Sequence, residues 1–148
     1  MEPLVIGADH RGFELKEALK KSLQRRFEII DVGTNSGAMD DYPLIAQRAV
    51  RQMKQRDCRA ILICGTGFGM AMAANKMKSI RAASCREEID SNYARAHNDA
   101  NILCLGANFT NEEKAKRIAE VFLTTSFSNE ERYSRRNKQL EEIEQQRQ

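Results

Sequence analysis

Five short apolar runs alternate with amphipathic segments along the chain, and that alternation restricts the fold more than any other feature. Leu4 to Ile6 opens the series and ends in the polar group Gly7-Ala8-Asp9-His10-Arg11-Gly12. Leu15, Ala18, Leu19, Ser22 and Leu23 then follow the spacing of one buried helical face. Phe27 to Val32 reads as the second strand, and Gly33-Thr34-Asn35-Ser36-Gly37 as a loop. Tyr42 and Pro43 precede a helix from Leu44 to about Gln55, with Ile45, Ala49, Val50 and Met53 inward. Proline suits a first helical turn, where its missing N–H costs nothing. Ile61 to Cys64 is the third strand, followed by a glycine turn and a helix from Met70 to Met77. Arg81 to Cys85, a helix from Glu87 to about Ala96, and Ile102 to Leu105 continue the alternation. Asn111 caps the last core helix, Glu112 to Leu123, which buries Ala115, Ile118, Ala119 and Phe122. The pattern predicts a single α/β, Rossmann-like, three-layer αβα domain with a five-stranded parallel sheet, wound by right-handed crossovers.

The domain is expected over residues 1–127. Residues 128–148 are charged and glutamine-rich, with Leu140 and Ile143 as rare apolar points. They read as a C-terminal helical tail that leaves the domain, either solvated or docked on a second subunit. A chain of 148 residues has room for one such domain. The balance of 24 basic and 21 acidic residues is too mild and too interspersed for a nucleic-acid surface. No apolar run reaches the roughly 18 residues of a membrane span, so a cytoplasmic protein is expected. Cysteines at 58, 64, 85 and 104 form no C-x-x-C pair, which argues against a zinc site or a disulfide framework.

Chemistry centres on Ile61 to Gly69. A buried strand there runs straight into Gly65, Gly67 and Gly69, whose backbone N–H groups are free to meet an anion or a developing negative charge. Cys64 stands at the mouth of this turn, and a thiol in such a field is of the reactive kind. The turn is G-x-G-x-G, matching neither the Walker pattern nor the dinucleotide fingerprint. Ligands of open α/β sheets bind beyond the carboxyl ends of the strands. Asp9, His10, Tyr42, Cys64 to Gly69 and Gly106 to Asn108 all follow strand ends and can share one crevice. His97, Asn98 and Asp99 precede the fifth strand and fall at the opposite edge, roughly 15 Å away for five residues. A site using both Cys64 and His97 therefore needs two subunits, which argues for a homodimer with shared sites. Each residue also has a structural role open to it. Cys64 can be core packing, Asp9 a helix cap, and His10 and His97 ordinary imidazoles. Arg132 and Arg136 can pair with Glu130, Glu131 and Glu141.

The run Ile61 to Gly69, Ala73-Ala74-Asn75-Lys76, Ile80-Arg81-Ala82, Gly7-Ala8-Asp9-His10 and His97-Asn98-Asp99 together resemble the ribose-5-phosphate isomerase B family. The resemblance covers nearly the whole chain in order. The wider family includes galactose-6-phosphate isomerase subunits, which generally lack the His-Asn-Asp triplet, so its presence favours the pentose enzyme. The resemblance implies interconversion of ribose 5-phosphate and ribulose 5-phosphate through an enediolate, in the pentose phosphate pathway, with no metal or organic cofactor. It makes Cys64 the base, His97 the ring-opening group and Thr66 a helper in proton movement. Backbone N–H groups from Gly65 through Gly67 and Phe68 to Gly69 would stabilise the enediolate. His10, Arg132 and Arg136 would hold the phosphate, and Asp9 and Asn98 the sugar hydroxyls, with Tyr42 in the same crevice. The partner is a small sugar phosphate, with a homodimer or tetramer as the assembly.

Two departures stand out. Many members carry an arginine two residues after the glycine that ends the fifth strand, where it binds phosphate. Here Asn108 follows Gly106-Ala107. The tail aligns with one extra residue before Arg132, so Arg135 can replace Arg132 or Arg136. Rival readings are a six-carbon aldose phosphate such as allose 6-phosphate, a nucleotide-binding module with Glu87 or Glu88 on a ribose, and a non-catalytic dimer of the same fold.

Overall fold

Five parallel strands and six helices make up a computed structural model that describes residues 1–35 and 39–147. Ser36 and Gly37 of the expected loop, and Gln148 of the expected tail, lie outside the described residues. In chain order the first half is β1 (Glu2–Ala8), α1 (Phe13–Leu23), β2 (Phe27–Asp31), α2 (Tyr42–Arg56) and β3 (Arg59–Cys64). The second half is α3 (Phe68–Ala74), β4 (Ala82–Ser84), α4 (Glu88–Asn98), β5 (Ile102–Gly106), α5 (Glu112–Thr124) and α6 (Glu131–Gln145).

The strands lie in the order β2-β1-β3-β5-β4. The chain leaves β1 toward one edge and returns past it to β3, so the direction of winding reverses between these two neighbours. A crevice opens at such a reversal, beyond the carboxyl ends of the strands. In β3, Ile61 and Ile63 join Leu15, Leu19, Ile118 and Phe122 of α1 and α5 on one face. Ala60, Leu62 and Cys64 join Ile45, Val50, Met53 and Met70 of α2 and α3 on the other. Both faces of this central strand are covered, which explains its unbroken apolar run.

Element ends depart from the sequence expectation for identifiable reasons. Helix α2 begins at Tyr42, with Pro43 inside its first turn. Helix α3 begins at Phe68, because Gly67 adopts φ 82 and turns the chain there, and it ends at Ala74. Asn75 then spends its side chain on the exposed edge of β4: its amide donates to the Ala82 carbonyl (2.9 Å) and accepts from the Ala82 N–H (2.8 Å). Helix α4 extends to Asn98, placing His97 and Asn98 in its last turn, and stops at Asp99 with φ 48.

The inward face of α1 also differs. Ser22 is exposed, whereas Lys16 is fully buried. Its Nζ donates to both Asp31 carboxylate oxygens (2.9 and 2.7 Å) and to the Thr34 carbonyl (2.8 Å). Lys20 adds a bond of 2.6 Å to Asp31. Burial alone would raise the Asp31 carboxyl, but the bonds from Lys16, Lys20 and the Gly33 N–H outweigh it and hold the pKa below 3.8. The lowered pKa means that the carboxylate stabilises the fold above that pH and that this contribution is lost as pH falls through the folded value. Lys16→Met keeps the apolar stem and removes the cation, leaving a partly buried carboxylate short of a partner. A loss of about 3 kcal/mol in urea unfolding at pH 7 is expected. An unchanged unfolding midpoint would mean that Lys20 alone neutralises Asp31.

Candidate active site

Strand β3 delivers Cys64 to the sheet's carboxyl edge with 4% of its surface exposed. The Gly67 N–H donates to Cys64 Sγ at 3.2 Å. This contact requires the left-handed backbone of Gly67, where a Cβ would also stand 2.8 Å from Ser84 Oγ and 3.1 Å from the Leu105 carbonyl carbon. Thr66 Oγ1 accepts from the Phe68 N–H at 3.2 Å, which leaves its own proton available for donation. The turn is locked to β5, since a Cβ on Gly106 would stand 2.5 Å from the Thr66 carbonyl oxygen.

The end of β1 is tied to the same strand. The Asp9 N–H donates to the Ile63 carbonyl at 3.1 Å. Asp9 Oδ1 accepts from the N–H groups of Arg11 (3.0 Å) and Gly12 (3.2 Å). It braces the turn ahead of α1, whose cap position is Gly12. Its other oxygen has no hydrogen bond among the described residues. His10 Nδ1 accepts from the Asp40 N–H at 3.4 Å. Tyr42 lies with its ring against Gly69, 2.7 to 3.0 Å from where a Cβ would stand. Asn108 donates its N–H to the Gly65 carbonyl at 2.8 Å, and its amide nitrogen lies 3.4 Å from a Gly65 Cβ position. Asp9, His10, Tyr42, Cys64 to Gly69 and Asn108 thus gather at the carboxyl ends of β1, β3 and β5.

The remaining expected residues gather at the opposite edge. Strand register pairs Cys64 with Gly106 and Ala60 with Ile102, so His97 and Asn98, which precede Ile102, lie past the far end of the sheet. His97 is sandwiched between Tyr93 (5.0 Å) and Tyr133 (4.2 Å). The Asn137 amide donates to the His97 carbonyl at 3.3 Å. Tyr133 and Asn137 are one turn apart on α6, so they fix its first half against α4, and Arg132 and Arg136 come with it. Arg132 pairs with Glu130 at 3.3 Å and lies over the Tyr133 ring at 4.7 Å. Arg136 is exposed and has no ion pair among the described residues. Arg135 is engaged by Glu131 at 2.5 Å. One chain therefore carries two groups of candidate residues at opposite ends of its sheet.

This arrangement can be set beside known proteins. A family model described as Ribose/Galactose Isomerase matches residues 4–140. Ribose-5-phosphate isomerase B of Escherichia coli is 37% identical over 149 residues, covering 99% of both chains. The chain belongs to the ribose/galactose isomerase family. Solved structures of ribose-5-phosphate isomerase B agree with its fold. That from Clostridium thermocellum has a TM-score of 0.93 at 38% identity, covering 97% of each chain. That from Mycoplasma genitalium, with bound ribulose-5-phosphate, has a TM-score of 0.92 at 35% identity, covering 98% of this chain and 97% of that one.

In this member of the ribose/galactose isomerase family, three of the four thiols are raised by their burial. Burial pushes the Cys85 thiol up to about 12 and Cys104 well above the usual range, and it raises Cys58 as well. Thiols held protonated in this way are poor bases and nucleophiles. The glutamates that a nucleotide reading would place on a ribose are otherwise occupied. Glu87 pairs with Lys114, and Glu88 with Lys114 (3.2 Å) and Arg117 (2.8 Å). Sequence reasoning missed Arg11, Tyr133 and Asn137. Arg11 follows Asp9-His10 directly, yet only the fold lays its side chain across Gly65. The four-residue spacing of Arg132-Tyr133 and Arg136-Asn137, with Leu140 and Ile143 further on, was the available sign that α6 has a bound face.

Proposed function

We propose that the protein interconverts ribose 5-phosphate and ribulose 5-phosphate through an enediolate. The observation that carries this reading is Cys64, which alone among the four thiols receives a backbone N–H from the glycine turn. Family membership and full-length similarity to ribose-5-phosphate isomerase B of Escherichia coli support the substrate class. Cys64 takes the proton from C2 of the open-chain aldose and returns it to C1. Negative charge builds on the two sugar oxygens as it does so. The N–H groups of the Gly65–Gly69 turn other than those of Gly67 and Phe68, which bond Cys64 Sγ and Thr66 Oγ1, meet that charge from fixed positions, the kind of stabilisation that contributes most to such barriers. Thr66 carries the proton between the oxygens. Asp9 and Asn98 hold hydroxyls, and His10, Asn108, Arg132 and Arg136 surround the phosphate.

His97 opens the furanose ring by passing a proton to the ring oxygen. Its separation from Cys64 along β5 supports a homodimer in which each site takes Cys64 from one subunit and His97 from the other, with the outer face of α6, whose inner face lies on α4 of its own chain, docked on the second subunit. The cytoplasm and the pentose phosphate pathway are the setting this reading implies.

The test is interconversion of the two pentose phosphates by the purified protein with a chelator present. Turnover of ribose 5-phosphate well above that of allose 6-phosphate is the expected result. Turnover of the six-carbon sugar alone would move the substrate class, and absence of turnover on both would remove the isomerase reading.

A further inference from the structure

We propose that Arg11 is an additional substrate-binding residue, whose guanidinium holds the phosphate beside Asn108. The inference rests on the isomerase reading of the site and assigns to it a cation beyond the residues that the family resemblance names. Arg11 extends across Gly65. A Cβ on that glycine would stand 3.4 Å from Arg11 Cδ, 3.6 Å from Arg11 Nε and 3.4 Å from the Asn108 amide nitrogen. Arginine and asparagine therefore meet over the first residue of the turn, immediately after Cys64.

The mounting is firm although the side chain is exposed. The Arg11 N–H is held by Asp9 Oδ1, and the Asp9 N–H by the Ile63 carbonyl, so the base of the side chain is fixed to β3. Its charge is unspent. Among the described residues the Arg11 side chain has no ion pair or hydrogen bond, although Glu14 and Glu112 share the wall of an adjoining cavity of about 280 Å³ with it. Arg26, Arg48, Arg56, Arg59, Arg117 and Arg135, by contrast, all reach a carboxylate. A free guanidinium at the rim of a crevice attracts an anion, and its planar fork fits phosphate in a way that the uncharged Asn108 amide does not. His10 stands at the preceding position, its Nδ1 against the Asp40 N–H.

The experiment uses the full chain, Arg11→Ala and Arg11→Ala/Asn108→Arg. Arg11→Ala is expected to raise KM for ribose 5-phosphate by about tenfold, the usual scale for one charge-assisted contact, with a much smaller change in kcat. Competitive inhibition by inorganic phosphate should weaken in parallel. Adding Asn108→Arg should restore most of the lost affinity, because it returns a cation to the same position. An unchanged KM, a loss confined to kcat, or a double variant as weak as Arg11→Ala would each overturn the assignment. Should the parent fail to isomerise pentose phosphates, direct titration with inorganic phosphate separates the two claims. Binding that weakens about tenfold in Arg11→Ala supports the arginine even though the isomerase reading has failed. Equal binding, or none to the parent, overturns it.

Discussion

Cys64→Ala should lower kcat for ribose 5-phosphate by about 10³ while the protein stays folded, because on the proposed mechanism it deletes the base and leaves every other contact in place. The substitution removes one sulfur from the end of a strand packed on both faces, so thermal unfolding should shift little beside the loss of activity. No other thiol can substitute. Cys104 and Cys85 are buried and held protonated. Cys64→Ser makes a sharper comparison. It preserves the side-chain shape and an acceptor for the Gly67 N–H, but near neutral pH a hydroxyl has essentially no deprotonated form to act as base. Both variants should be similarly inactive. Activity within tenfold of the parent in either would return Cys64 to a packing role and leave the glycine turn without its base.

Two inactive variants should regain activity on mixing, the second large effect. His97→Asn removes the proposed ring-opening group, and Cys64→Ala the proposed base. In a homodimer with shared sites, a mixed dimer of these variants carries both lesions in one site and neither in the other. Co-refolding at equal amounts should therefore recover about a quarter of parent activity, since half the dimers are mixed and each has one intact site. Sites built from a single chain would give no recovery. The geometry behind this expectation is the register of β3 on β5, which sets Cys64 against Gly106 while His97 lies before Ile102. A lone chain offers no path that brings the two side chains together without unpairing the sheet.

The turn at Cys64 was legible because its signals are local. A β-branched apolar run, three alternating glycines and a small-residue helix lie within one short stretch, and the backbone conformation that Gly67 adopts is one few other residues reach at low cost. The opposite placement of His97 was legible too, because a strand's length separates its two ends whatever the rest of the chain does. The burial of Lys16 is not legible in the sequence, for the converse reason. Helical periodicity assigns a lysine to the solvent face, and only the arrival of β2, bringing Asp31, together with the Thr34 carbonyl, makes burying it tolerable. The end of α4 was set two residues early because Asp99 adopts a left-handed conformation that composition does not announce.

The sequence by itself determined the alternation of strands and helices, the doubly covered central strand, and the glycine turn that receives Cys64. These follow from residue periodicity and from the backbone freedom of glycine, which act over a few residues. Only the tertiary structure decided that β5 inserts between β3 and β4, bringing Gly106 and Asn108 against the turn. It also decided that Arg11 crosses Gly65 and that Tyr133 and Asn137 bind α6 to His97. Those contacts join residues tens of positions apart. Their existence depends on strand order and packing, which no local pattern encodes.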